Sequence, residues 1–256
     1  MEPAASGAPA PPPPRTQNLT PALVLDRLRE AYGAPAPRHS DGPLAELIQT
    51  ILSQNTSDVN TERAFASLWA RFGSWEAIRA APVPAIADAI RSGGLAQVKA
   101  PRIKAVLEAI EQDRGELSLD FLAGLPLEEA RSYLTSLGGV GPKTAACALL
   151  FALGMPALPV DTHVHRVSRR LGLLGPTVNA EAAHRLLEAA IQPSEMYDAH
   201  MLLIRHGRVT CKALRPRCNA CSLNDVCPRV GVGMAAGDRV HLKTEERDVD
   251  AAYHSG

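Results

Sequence analysis

Leu137-Gly138-Gly139-Val140-Gly141-Pro142-Lys143 decides how this chain is built. Upstream, Leu127 to Leu137 carries apolar residues at helical spacing, and downstream Lys143 to Leu153 does the same. Between them lies a four-residue turn with three glycines. Glycines let a backbone approach a bound group with no Cβ in the way. Pro142 suits the first position of the second helix, whose N-terminus would then point at the same place. Such a helix, hairpin and helix can aim backbone N–H groups at a phosphate, gripping one nucleic-acid strand without reading its bases. A plain tight turn between antiparallel core helices is the competing reading. Lys143 sharpens the first: it sits in the opening turn of a helix, where a cation is disfavoured, a placement that suits an amine acting as a neutral nucleophile.

Outward from this hairpin the pattern is helical throughout. Thr20 can cap a helix that Pro21 opens, with Val24, Leu25, Leu28 and Tyr32 on one face before Gly33. Leu44, Leu47, Ile48, Ile51 and Leu52 form a second stripe, Val59, Phe65, Leu68 and Trp69 a third, and Ile103, Val106, Leu107 and Ile110 a fourth. Val164–Leu171, Ala180–Ile191 and Glu195–Val209 are further helices. No convincing strand is visible, so an all-α fold is expected. Residues 1–18 are a Pro/Ala-rich low-complexity tail, and residues 230–256 read as a mobile tail.

The 256 residues are 46% apolar, ample for a core, with only 4% aromatic. Lys plus Arg and Asp plus Glu are 27 each, so net charge says nothing about nucleic acid. The distribution says more: residues 161–218 hold nine Lys/Arg against five Asp/Glu, enough for a basic face. The N-terminal run lacks the pattern of a signal peptide, and Ala145 to Leu153 is too short to span a bilayer. An intracellular protein with no membrane association is expected.

Asp161, in Pro159-Val160-Asp161-Thr162-His163, is a natural N-cap for the helix that follows. It is equally a carboxylate able to stabilise developing positive charge on a sugar and to shuttle protons, and the two roles are compatible. His163 and His165 lack a second ligand at metal spacing and read as packing or hydrogen-bonding residues. Cys211, Cys218, Cys221 and Cys227 stand at C-x6-C-x2-C-x5-C, within 17 residues, which implies a metal site. Spacing alone leaves zinc and a four-iron cluster both open. Lys212, Arg215 and Arg217 occupy the loop between the first two cysteines, where a metal site would hold positive charge against phosphates. Cys147, in an apolar helix, reads as a small core residue.

Four parts, in order, resemble the endonuclease III family of helix-hairpin-helix (HhH-GPD) DNA glycosylases. They are Ile51 to Asp58, Leu137 to Ala145, Val160 to His163 with Arg166-Val167, and the four cysteines, spanning about residues 20 to 229. The resemblance implies two helical lobes: a six-helix barrel over 44–155, and a cluster lobe of 19–43 with 156–229. It implies that double-stranded DNA with a damaged base or abasic site binds between them, bent, with the damaged nucleotide flipped out. Lys143 would attack the sugar C1′, expel the base and form a Schiff base, with β-elimination cutting on the 3′ side. Asp161 would assist, Gly139 and Gly141 would bind phosphate, and the cysteines would hold a [4Fe–4S] cluster. Oxidised pyrimidines are the expected lesions, and a monomer the expected state. This chain departs from the family in Gly138, usually proline, in Pro142, usually basic or polar, and in Gln54-Asn55. The family's gap-filling glutamine aligns with Asn55, so Gln54 or Asn55 is expected to fill the space left by the flipped base, the alignment favouring Asn55.

Overall fold

A computed structural model describes residues 19–37 and 39–232; the tail expected at 1–18, and the tail expected at 230–256 from residue 233 onward, lie outside the described residues. Every α-helix foreseen from periodicity is present, and no strand occurs among the described residues. The order is α1 Pro21–Tyr32, α2 Pro43–Ser53, α3 Asp58–Phe72, α4 Trp75–Ala80, α5 Val83–Ala89, α6 Ala96–Arg114, α7 Leu127–Ser136, α8 Pro142–Leu153, α9 Thr162–Arg170, α10 Ala180–Ala190 and α11 Met196–Val209. Local chemistry sets the ends. Thr20, Ser57, Ser74, Asp161 and Asn179 each accept a backbone N–H from the first turn they cap. Pro21, Pro43 and Pro142 open helices where a missing N–H costs nothing.

The α3 stripe differs from the one read off the sequence. Its buried residues are Thr61, Ala64 and Leu68, while Val59 is 64% and Trp69 41% exposed. The reason is the close approach of the turn at Gly93: a Cβ there would lie 3.0 Å from the Ala64 Cβ, so α3 turns its small residues inward.

Buried apolar side chains form two clusters. One holds Leu47, Ile48, Ile51, Ile86, Ile103, Leu107, Leu134 and their neighbours from α2 to α8. The other gathers Val24, Leu25 and Leu28 of α1 with Val164, Val167, Leu187, Leu202 and Leu203 of α9 to α11. Each fully buried Leu or Ile contributes about 1.5–3 kcal/mol. Helix α8 belongs to both: Ala145, Ala146, Ala148 and Leu149 face the first cluster, and Leu150 and Phe151 the second. A helix apolar on all sides must be buried on all sides, and residues 144–150 are. Lys143 therefore stands at the exposed end of a wall shared by both lobes.

Polar ties cross the same boundary. Arg131 of α7 donates through Nη2 to both carboxylate oxygens of Glu188 on α10 at 3.0 Å, and Glu188 Oε1 also accepts the Leu158 N–H at 2.8 Å. Arg208 of α11 donates to Asp58 at the start of α3 at 2.8 Å.

Candidate functional site

The hairpin between α7 and α8 is tight: Val140 N–H donates to the Leu137 carbonyl at 3.0 Å, and the Val140 side chain is buried. Gly138, Gly139 and Gly141 are exposed, and their N–H groups find no acceptor among the described residues. These groups and the open first turn of α8 face solvent together, the geometry of an anion site. Gly139 needs to be glycine twice over. Its φ is +85°, and a Cβ would lie 2.5 Å from Arg102 Nε and 2.6 Å from Arg102 Cδ. Gly138 has open space around it and no unusual backbone, so the departure from proline there costs the turn nothing.

Lys143 is half-buried in the first turn of α8. Beneath it, one turn on, lies Cys147, whose thiol burial pushes up while Lys143 and Thr50 interact with it. Glu46, 3% exposed, adds its negative charge to the same spot, and Thr50 donates to Glu46 Oε1 at 3.5 Å. Asp161 is the N-cap of α9: its Oδ1 accepts the His163 and Val164 N–H groups at 2.8 and 2.7 Å. It does not hydrogen-bond Lys143 among the described residues. Its charge instead reaches Arg208, whose guanidinium Asp58 and Asp161 together hold above the usual range. His163 and His165 hydrogen-bond as expected, to Arg166 Nη2 at 3.1 Å and the Val178 carbonyl at 2.8 Å.

The loop after α2 carries Gln54 and Asn55. Gln54 is drawn inward: its Oε1 accepts from Arg102 Nη1 at 2.7 Å, and its Nε2 donates to Thr144 Oγ1, the residue after Lys143, at 3.5 Å. Asn55 is exposed at the tip with φ +54°, a conformation asparagine tolerates. Below the loop lies Lys99, 1% exposed, which donates to the Leu52 carbonyl at 2.6 Å, the Gly93 carbonyl at 2.8 Å and Thr56 Oγ1 at 3.2 Å. Thr56 also donates to the Gly93 carbonyl. Burial lowers the Lys99 pKa, and three oxygen acceptors oppose that by favouring the ammonium.

Cys211, Cys218, Cys221 and Cys227 line one open pocket with Arg170, His206, Thr210 and Arg217. Burial pushes the Cys221 thiol up to about 11 and raises that of Cys227, so free thiolates are disfavoured there without compensating positive charge. Donors already surround the sulfurs: Leu223 N–H to Cys221 Sγ and Arg229 N–H to Cys227 Sγ, both 3.4 Å, and Arg170 Nη1 to Cys211 Sγ at 3.4 Å. Yet among the described residues no three His, Cys, Asp or Glu side chains are arranged to hold one ion. Four thiols lining one pocket are a donor set able to hold a metal group, either zinc or an iron–sulfur cluster. Arg170 also donates to the Lys212 and Ala213 carbonyls at 2.6 and 2.9 Å, strapping the basic loop. Lys212 and Arg215 on it are exposed, as is Leu214 between them.

The structure thus joins Gln54, Gly139 and the start of α8 through Arg102, and joins the four cysteines. Asp161, Asn55, Lys212 and Arg215 make no side-chain hydrogen bond to that group among the described residues. Sequence reading missed Arg102, Lys99 and Glu46. Glu46 had a signal, a charge in the middle of an apolar helical stripe; Lys99 and Arg102 had none, since their partners are 37 or more residues away in sequence except Gly93.

Residues 48–193, more than half of the chain, match the pattern of the HhH-GPD superfamily of base excision DNA repair proteins. A putative DNA glycosylase of Arabidopsis thaliana is 40% identical over 189 residues, covering 72% of this chain but only 64% of that protein. Endonuclease III of Sulfolobus acidocaldarius is 36% identical over 185 residues, 72% of this chain and 80% of its own. The solved structure of a trapped endonuclease III–DNA covalent intermediate superposes with a TM-score of 0.71 at 30% identity, covering 83% of this chain and 97% of that one. An all-helical fold in two lobes, an exposed glycine-rich hairpin between two helices followed by a lysine, and these relatives together place the chain in the HhH-GPD superfamily of base excision DNA repair proteins, within its endonuclease III family.

Proposed function

We propose that this protein is a DNA glycosylase and abasic-site lyase that removes oxidised pyrimidines from double-stranded DNA, with Lys143 as nucleophile. The observation that carries this is the placement of Lys143 directly after a hairpin whose exposed N–H groups are free to bind phosphate. A strand held there brings its sugar to the amine. The Lys143 nitrogen forms a bond to C1′ as the glycosidic bond breaks, and the base leaves with that electron pair and a proton. The remaining nitrogen proton then passes to O4′ as the C1′–O4′ bond breaks, giving the imine and an open sugar. Removal of a C2′ proton then expels the 3′ phosphate, cutting the strand. Asp161, fixed by two N–H donors, is the carboxylate that stabilises the developing positive charge. Asn55, exposed at the loop tip, fills the space of the extruded nucleotide. The barrel comprises 44–155, and 19–43 with 156–229 form the second lobe.

Cys211, Cys218, Cys221 and Cys227 would hold a [4Fe–4S] cluster, which would stiffen the loop bearing Lys212 and Arg215. Such a protein acts as an intracellular monomer on the chromosome.

Borohydride reduction on duplexes holding an abasic site tests this reading. The wild-type chain is expected to become covalently linked to DNA, and Lys143→Ala to bind DNA with similar affinity but form no link. Undiminished trapping in that variant would assign the nucleophile to another amine.

A further inference from the structure

We propose that Arg102 is a positioning residue that locks the Gln54 carboxamide with its N–H group turned toward Thr144, the neighbour of Lys143 in the first turn of α8, making Gln54 the reader of a carbonyl on the extruded base. This rests on the glycosylase reading above.

Amide oxygen and nitrogen are assigned from their partners. Arginine only donates, so the group 2.7 Å from Arg102 Nη1 must be the Gln54 oxygen. That fixes the other end: Nε2 points toward α8, where its one contact is Thr144 Oγ1 at 3.5 Å. This contact is long and uses one of two amide hydrogens. The Gln54 amide, held against the residue that follows Lys143, therefore keeps a hydrogen for a ligand. Its complement is a carbonyl oxygen, which pyrimidines carry and retain after oxidation at the 5,6 bond.

Arg102 is itself held. Its stem and Nε lie across Gly139, close enough that a Cβ there would be 2.5 Å away. One side chain thus spans the phosphate-binding turn and the base-reading amide. The position of Gln54 is thereby set by the same hairpin that grips the strand. Asn55, exposed at the tip of the loop, is left to occupy the gap.

The test compares wild type with Arg102→Met, Gln54→Ala and the double variant. Methionine keeps the stem over Gly139 and removes the donor. Base release is measured under single turnover on duplexes carrying thymine glycol or 5-hydroxycytosine, and borohydride trapping on the same duplex with a preformed abasic site. Each single variant is expected to slow base release by about tenfold or more, and the double variant to lose no more than the worse single one. Trapping on the abasic duplex, which has no base to read, should change less than about threefold. Losses that multiply, or an equal loss on the abasic duplex, would make Arg102 a phosphate contact and overturn the proposal; so would no loss at all. The Gln54 side-chain amide signals, assigned by their disappearance in Gln54→Ala, give a readout without DNA. They should shift and broaden in Arg102→Met, and unchanged signals would refute the latch. A wild-type chain that traps abasic DNA yet releases neither base would refute the oxidised-pyrimidine reading, with the amide signals still deciding the latch.

Discussion

Replacing Lys99 by methionine should destabilise the protein and loosen the loop that carries Gln54. The ammonium is 1% exposed and donates to the Leu52 carbonyl, the Gly93 carbonyl and Thr56 Oγ1 at 2.6, 2.8 and 3.2 Å. Methionine fills nearly the same volume, so the packing loss is small. Gly93 keeps Thr56 as a donor, whereas the Leu52 carbonyl is left buried with no replacement donor. Hydrogen bonds from a charged group are worth about 1.5–3 kcal/mol each, and one orphaned carbonyl costs about 1–3 kcal/mol. Removing a buried charge returns part of this, because its desolvation cost disappears. The net loss should be about 2–4 kcal/mol, lowering Tm by about 4–16 °C in a domain of this size. Thermal melting followed by circular dichroism gives the first number. Hydrogen exchange of residues 53–57 gives the second, with faster exchange expected there than in α10. A Lys99→Met protein as stable as wild type, with an equally protected loop, would show that the buried ammonium merely occupies space.

Gly139→Ala should cost DNA affinity more than stability, because the methyl group must displace Arg102 from the exposed hairpin; equal affinity in a binding titration would contradict this. Lys212→Ala and Arg215→Ala should each flatten the slope of log affinity against log salt by about 0.9, and an unchanged slope would remove that loop from the interface. Purified protein should be brown, with chelation bleaching its visible absorption and exposing residues 211–217 to proteolysis; a colourless protein holding zinc would refute the cluster. Burial lowers the His184 pKa, and its Nδ1–H donates to the Leu158 carbonyl at 2.8 Å. The unfolded chain then binds more protons just below pH 6.5, so stability is lost as pH falls through that range. The difference in unfolding free energy between wild type and His184→Asn should shrink from pH 7 to pH 5, and a constant difference would refute the argument.

Much of this was legible in sequence because it is local. A hairpin between two helices, a cap at Asp161 and four closely spaced cysteines all declare themselves within a few residues. The all-helical fold followed from periodicity. What could not be read was long-range: Arg102 reaches Gln54 across 48 positions and Arg208 reaches Asp58 across 150. Lys99 looked like one more surface lysine, since nothing in Gln97-Val98-Lys99-Ala100 announces burial. The exposed Val59 misled for a related reason, as helical spacing does not say which turn of a neighbouring element will press close.

Helix α8 has a consequence beyond carrying Lys143. Because its flanks complete both hydrophobic interiors, neither half can melt while the other keeps its seal. Heat or denaturant should therefore abolish the chain's structure in one cooperative step. Any disturbance reaching one half would be transmitted along this shared partition to Lys143 at its tip.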